Sequence, residues 1–391
     1  MCEVQNMLLN YSVKGYKVFY DKVEFSMIAD NYIKKNRENL IKNVANKFDL
    51  VKSAFIYGAN NTGKTCFLES LHFFINLIKS EQIILEKYDK NIFYNRKDDL
   101  EFKIDFSDGD DIYSYEITFS KERIKQEIFI KNNEVLLNRE KPDRELTKIL
   151  ELIGENNEKL YLFRLSQKHK KSVETFLNFL NKFEFLNNST NFDVSEILDN
   201  NSFNEINSLI KNFDFSIDTL IDATDIVNEI KKEQKIDEEI LEKLRLFVKY
   251  NFKNFSEEIP FGIIDSTGTK KTTKFIYTFL NAIKNNKILI IDEIESSLHT
   301  LVTKALIAYY NSHDNTNSQL IATSHDLLLL DDKYLLRKDQ IWFIHKDNEG
   351  NYLYSLSDFK ENSENDTRGN VMIKYLKGLF GALPEPKWFD D

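Results

Sequence analysis

Between residues 7 and 29 apolar and polar positions alternate, in MLLNYSVKGYKVFYDKVEFSMIA, first up to Gly15 and again before Ala29. Successive strand side chains point to opposite faces, so this period of two predicts an opening hairpin of half-buried strands. Residues 51–58, VKSAFIYG, form instead a short apolar run that ends at glycine. Phe67, Leu68, Leu71, Phe74, Ile75 and Ile78 follow at helical spacing, which gives the order strand, glycine loop, helix. Alternation returns between 100 and 137 in LEFKIDF, IYSYEITF and IKQEIFI. Ser107-Asp108-Gly109-Asp110-Asp111 and Ser120-Lys121-Glu122 separate these runs and read as turns of an antiparallel meander.

From 144 to 250 helical periodicity and charge dominate, as in IVNEIKKEQKIDEEILEKLRLF, where Ile226, Ile230, Leu241 and Leu244 mark one candidate face. No heptad is sustained, and Asn187-Asn188 and Asn200-Asn201 interrupt the pattern, so a compact helical lobe is expected rather than a long coiled coil. Beyond 260, ILII at 288–291 and QLIATSH at 319–325 read as strands of a parallel sheet buried on both faces. The expected organisation is an α/β head whose halves, 1–143 and 251–391, flank a mostly helical insertion at 144–250. No internal repeat and no linker rich in proline or glycine is present.

The glycine loop carries the chemistry. Gly58-Ala59-Asn60-Asn61-Thr62-Gly63-Lys64-Thr65 has the P-loop spacing, after a predicted strand and before a helix. In that context backbone N–H groups of the loop, through Cys66 in the first helical turn, would cradle phosphates. Lys64 would meet the β and γ oxygens of ATP, and the Thr65 hydroxyl would ligate Mg²⁺. Asp292 and Glu293 end the apolar strand at 288–291, where a Walker B pair belongs: Asp292 for the magnesium, Glu293 for the attacking water. Asp265-Ser266-Thr267-Gly268-Thr269 precedes a helix at the place of an ABC signature, where Ser266 and Gly268 would reach a γ-phosphate held by another subunit. Glu295-Ser296-Ser297-Leu298-His299 follows like a D-loop, and Thr323-Ser324-His325 ends the next strand with His325 in the position of a switch histidine. Gln126, in the meander, is the candidate for a Q-loop glutamine.

Composition narrows the class. The 391-residue chain is 42% hydrophobic and 30% charged, in the range of a globular protein, with a formal net charge of −10. That charge does not support a nucleic-acid surface, because nonspecific affinity comes mostly from Lys and Arg, although a local DNA groove stays open. Lys168-His169-Lys170-Lys171 is a small basic run of the kind that usually forms a solvated face, and Asp331-Asp332 reads as a solvated loop. Cys2 and Cys66 are too few for a disulfide framework or a zinc site. With no signal-peptide pattern in residues 1–10 and no apolar run near the ~20 residues of a membrane span, the chain reads as cytoplasmic with no membrane partner.

On these motifs the chain resembles the SMC-like, AAA-family ATPases of bacterial anti-phage defence, a group that includes RloA, the Abi-type ATPases and AriA of the PARIS system. The opening strands are similar, with Gly15-Tyr16-Lys17-Val18-Phe19 in place of an asparagine-phenylalanine-arginine-serine-phenylalanine core, so that Lys17 stands where the family has a nucleotide-facing arginine. The tail matches in LRKDQIWFIHKDNEGNYLYSLSDFK at 336–360 and YLKGLFGALPEPK at 375–387, with Phe380 for the usual tyrosine. The resemblance spans 7–140 and 255–390. It implies an ABC/SMC-type P-loop ATPase head using ATP and Mg²⁺, a homodimer or larger homo-oligomer with composite sites, a phage-derived trigger, and a separately encoded effector nuclease or toxin. The stretch after His325 is too short for the Toprim nuclease of OLD-type relatives. Two alternatives remain: an SMC-like ATPase of DNA repair or DNA ends, and a self-contained toxin regulated by the ATPase fold.

Overall fold

The computed structural model describes residues 6–81, 99–120, 123–153, 159–165, 169–186, 197–198, 203–213, 217–233, 236–252, 255–261, 267–296, 298–312, 315–332, 334–359 and 370–383. Its strands are β1 (Asn6–Lys14), β2 (Val23–Ser26), β3 (Leu40–Val44), β4 (Phe48–Val51), β5 (Ser53–Tyr57), β6 (Leu100–Asp108), β7 (Asp111–Phe119), β8 (Ile124–Lys131), β9 (Glu134–Asn138), β10 (Phe183–Leu186), β11 (Ile217–Asp222), β12 (Leu246–Phe252), β13 (Phe255–Pro260), β14 (Ile288–Ile291), β15 (Gln319–Thr323), β16 (Ile341–Lys346) and β17 (Asn351–Ser355). The helices are α1 (Lys64–Lys79), α2 (Arg144–Ile153), α3 (Lys170–Leu180), α4 (Phe203–Phe213), α5 (Thr224–Glu233), α6 (Glu238–Lys243), α7 (Thr267–Lys284), α8 (Thr300–Tyr310), α9 (Leu328–Asp331) and α10 (Val371–Leu376). No described helix is long and apolar enough to cross a membrane.

The chain divides into two compact units: residues 1–185, 286–293 and 311–391, and residues 186–285 with 294–310. The first unit carries two six-stranded sheets. One, in the order β2-β1-β6-β7-β8-β9, is the antiparallel meander joined by the opening hairpin. The other runs β10-β14-β15-β5-β16-β17, with β14, β15, β5 and β16 paired in parallel. Every residue of β5, β14 and β15 is buried, as continuous apolar runs covered on both faces must be.

Helix α1 packs into the core shared with the meander. Its buried face carries Phe67, Leu68, Leu71, Phe74, Ile75 and Ile78. Phe67 meets Tyr11 of β1 edge-on at 5.7 Å, and Phe74 lies 5.6 Å from Phe102 of β6. A polar clasp ties the sheets together. A bulge between Leu8 and Asn10 interrupts the β1–β6 ladder, and the buried Gln319 amide takes both free backbone groups of Leu8, accepting from its N–H at 2.7 Å and donating to its carbonyl at 2.9 Å.

The second unit contains a three-stranded antiparallel sheet, β11-β12-β13, with α4 against β11 and against α7. Asn207 of α4 holds the edge strand as a backbone neighbour would, donating to Leu220 O at 3.0 Å and accepting from Leu220 N at 2.8 Å. Two features differ from the sequence expectation of a mostly helical segment at 144–250. The β11–β13 sheet is present, and contacts group 144–185 with the first unit and 251–285 with the second. Short strands such as IDTLID alternate weakly beneath their charges, which favours a helical reading. Ile226 illustrates the same ambiguity: it is 61% exposed, whereas neighbouring Val227 is buried.

Glu127 is a fully buried acid of the meander. Its fully buried carboxylate accepts from Tyr115 Oη at 3.0 Å, from the backbone N–H groups of Tyr161 and Leu162 at 2.8 Å each, and from Arg139 at 3.4 Å. Burial pushes this carboxyl up, opposed by the two backbone donors and by Arg139. A raised acid binds its proton more tightly in the folded state, so its contribution to stability declines as pH rises from the ordinary carboxylate range through the raised value. Removing it strands several donors, and Glu127→Ala is expected to lose about 3–5 kcal/mol of unfolding free energy in urea titrations.

Candidate functional site

Parallel pairing aligns the carboxyl ends of β14, β15, β5 and β16, the edge at which open α/β sheets bind ligands. The loop from Gly58 to Gly63 leaves β5 at this edge and enters α1. Two glycines are sterically required. A Cβ on Gly58 would stand 2.4 Å from the Ile344 carbonyl of β16. Gly63, at φ 111°, would place one 2.8 Å from Val18, in a backbone region that favours glycine. Between them Asn61 is left-handed at φ 63°, which asparagine tolerates. Thr62 Oγ1 donates to Ala59 O at 2.9 Å, and the buried Asn351 of β17 donates to Thr62 O.

The loop closes around a cation. Lys64 is 6% exposed, and its Nζ donates to Gly58 O at 2.8 Å and Ala59 O at 2.9 Å. The ammonium thus sits inside the ring of loop carbonyls, beside the amino end of α1, where backbone donors and the helix dipole favour an anion.

Thr65 Oγ1 donates to Asp292 Oδ2 at 2.9 Å, reaching past the end of β15, which lies between β5 and β14. Thr323, the last residue of β15, donates through Oγ1 to Asp292 Oδ1 at 2.5 Å and accepts from the Glu293 N–H at 2.8 Å. Glu293 is exposed and left-handed at φ 53°, a conformation that costs on the order of 1–3 kcal/mol for such a residue.

Asn60, Asn61, Gly63, Lys64, Thr65, Cys66, Asp292, Glu293 and His325 line one cleft of about 350 Å³, completed by Val18. Gly58, Ala59 and Thr62 face an adjoining cavity of about 1000 Å³, which shares Asn60, Asn61 and His325 with the cleft. Burial pushes the Cys66 thiol up, against the pull of Lys17. Lys17 itself stands beside the cleft rather than in its lining, with Nζ 2.5 Å from Glu69 of α1 and over the Tyr16 ring. Gln126 pairs across the meander with Thr118 at 3.5 Å and lines neither cavity. Ser266 lies outside the described residues, as does Ser297 of the D-loop-like segment, while Gly268 falls in the first turn of α7 in the second unit. His299, also in the second unit, accepts from Leu301 N at the start of α8. Asp331 is exposed.

A hydroxyl and a carboxylate 2.9 Å apart are hard oxygen donors, and no group of three or more His, Cys, Asp or Glu forms a metal cage among the described residues. Such a pair fits magnesium, which takes few protein ligands and completes its shell with phosphate oxygens and water. Sequence reasoning assigned no role to Thr323 or Asn351. Thr323 was within reach, since it ends the strand that precedes His325, but its partners 30 residues away became visible only in the fold.

A parallel sheet, a glycine loop feeding a helix, and an acid pair one strand removed define a P-loop nucleotide-binding protein of α/β architecture. The chain belongs to the family described as "AAA domain, putative AbiEii toxin, Type IV TA system", whose model matches residues 53–331. It is also similar to solved SMC heads. One, bound to the C-winged helix domain of ScpA, is 14% identical over 89% of this chain and 97% of that one, with a TM-score of 0.45. The SMC head of Thermotoga maritima is 12% identical over 89% and 98%, with a TM-score of 0.46. An Smc head with an extended coiled coil, bound to the C-terminal domain of ScpA derived from Pyrococcus furiosus, is 14% identical over 90% and 96%, with a TM-score of 0.42. No protein of curated function matches the chain.

Proposed function

We propose that the chain binds Mg²⁺-ATP and hydrolyses it, and that the ATP-bound state controls a separately encoded effector in an anti-phage system. The observation that carries the reading is the Thr65–Asp292 contact at 2.9 Å beside the buried Lys64. Together they supply the metal-facing oxygens and the phosphate-facing cation that phosphoryl transfer needs in one place.

In this reading Lys64 exchanges the Gly58 and Ala59 carbonyls for phosphate oxygens, and the loop N–H groups complete the cradle. Thr65 and Asp292 would hold magnesium, which when bound would supply positive charge to offset that of the phosphates. Glu293 takes a proton from the attacking water, and His325 contacts the γ-phosphate. Ser266 and Gly268 complete the site from a second copy of the chain, and Lys17, whose charge acts on Cys66 of the cleft, exchanges Glu69 for the nucleotide. Head closure on ATP and opening after hydrolysis then form the two states that a partner reads. The family description, with its type IV toxin–antitoxin system, supports a two-component arrangement. Because that description also names a toxin, it favours one second reading, in which this chain is itself the toxic component.

Three outcomes test the scheme. Lys64→Ala is expected to weaken ATP binding at least about tenfold by isothermal titration calorimetry, since a charge-assisted contact to phosphate is lost. Glu293→Gln should retain binding while lowering kcat by about 10²–10⁴, the usual contribution of a general base; unchanged turnover would place the base elsewhere. Native mass spectrometry of Glu293→Gln with ATP and its chromosomal neighbours should show a dimer or larger assembly carrying a neighbour. A lone chain that arrests growth when expressed by itself would favour the toxin reading.

A further inference from the structure

We propose that Thr323 is a positioning residue that sets both acids of the Walker B pair, an inference that rests on the ATPase reading above. A hydroxyl has one proton and two lone pairs. In Thr323 the proton goes to Asp292 Oδ1 at 2.5 Å and a lone pair takes the Glu293 N–H at 2.8 Å. The side chain is fully buried at the end of β15, so its rotamer is fixed by packing.

The consequence is different for the two acids. Asp292 has two oxygens, and Thr65 already donates to Oδ2. By occupying Oδ1, Thr323 fixes the carboxylate plane and leaves Oδ2, the oxygen beside Thr65, as the one that would meet a metal ion. Glu293 is held through its backbone rather than its carboxylate. Its left-handed φ of 53° is otherwise unfavourable, and the Thr323 bond stabilises the turn that directs this residue into the cleft lined by Lys64 and His325. Because Thr323 is two residues before His325, one strand end sets the metal ligand, the base and the phosphate-sensing histidine together. A substitution that removes only the hydroxyl should therefore disturb metal binding and turnover jointly while sparing the phosphate cradle, which Thr323 does not touch.

The test compares Thr323→Val, which keeps the branched shape of a strand residue, with Thr323→Ser, which keeps the hydroxyl. Mn²⁺ binding is followed by electron paramagnetic resonance in the presence of a non-hydrolysable ATP analogue, and analogue binding is measured separately in EDTA. Thr323→Val should bind Mn²⁺ about 10–100-fold more weakly, as expected when a partner of a metal-ligating carboxylate is lost, with a parallel fall in kcat and unchanged binding in EDTA. Thr323→Ser should restore both. If Thr323→Val does not fold by circular dichroism, Thr323→Cys, similar in volume with a weak donor, carries the same expectation. Wild-type Mn²⁺ affinity in the hydroxyl-free variant, or a serine variant as impaired as valine, would overturn the assignment while leaving the ATPase reading intact. A wild-type chain that binds no Mn²⁺-nucleotide would overturn that reading and this one with it.

Discussion

Parallel register is the constraint on which the rest of the molecule depends. Leu320 to Thr323 of β15 pair with Ser53 to Ile56 of β5, while Ile288 to Ile291 of β14 pair with Gln319 to Ala322. A slip of one residue would turn each buried side chain to the opposite face and would move Asp292 and Thr323 apart along the sheet edge. The strands cannot slip cheaply, because every side chain of β5, β14 and β15 is buried in close-packed surroundings that fit one register, and the clasp of Gln319 on Leu8 fixes β15 against β1. The site is therefore a product of sheet register more than of loop structure: Thr65, Asp292 and Thr323 meet because three strands end at one level.

That dependence explains what could be read in the chain. The P-loop spacing, the buried runs of β5, β14 and β15, and the acids at the end of β14 are local patterns, and each survives in the structure with the expected element beneath it. What connects them is not local. Asn351 reaches Thr62 across 289 positions and Thr323 reaches Asp292 across 31, and neither asparagine nor threonine announces such a partner. Glu127 looks like any polar residue of an alternating strand, yet it anchors the turn at Tyr161 and Leu162. In the second unit, helical periodicity was legible but the weakly alternating β11–β13 sheet was not.

An overall charge of −10 disfavours an anion at long range, but the relevant field is local. Surface charges farther away than about 8–10 Å are largely screened at physiological salt. Lys64 is 6% exposed, and its ammonium donates to the Gly58 and Ala59 carbonyls of the loop. Its charge therefore acts at short range and with little screening, alongside backbone dipoles that salt does not reach. A site of this kind selects by geometry, through glycines that let the backbone approach, and draws little on long-range attraction. The acids of the cleft do not oppose anion binding, because Asp292 is held by two hydroxyl donors, and a magnesium ion arriving with the nucleotide would bring the positive charge that the carboxylate is placed to meet.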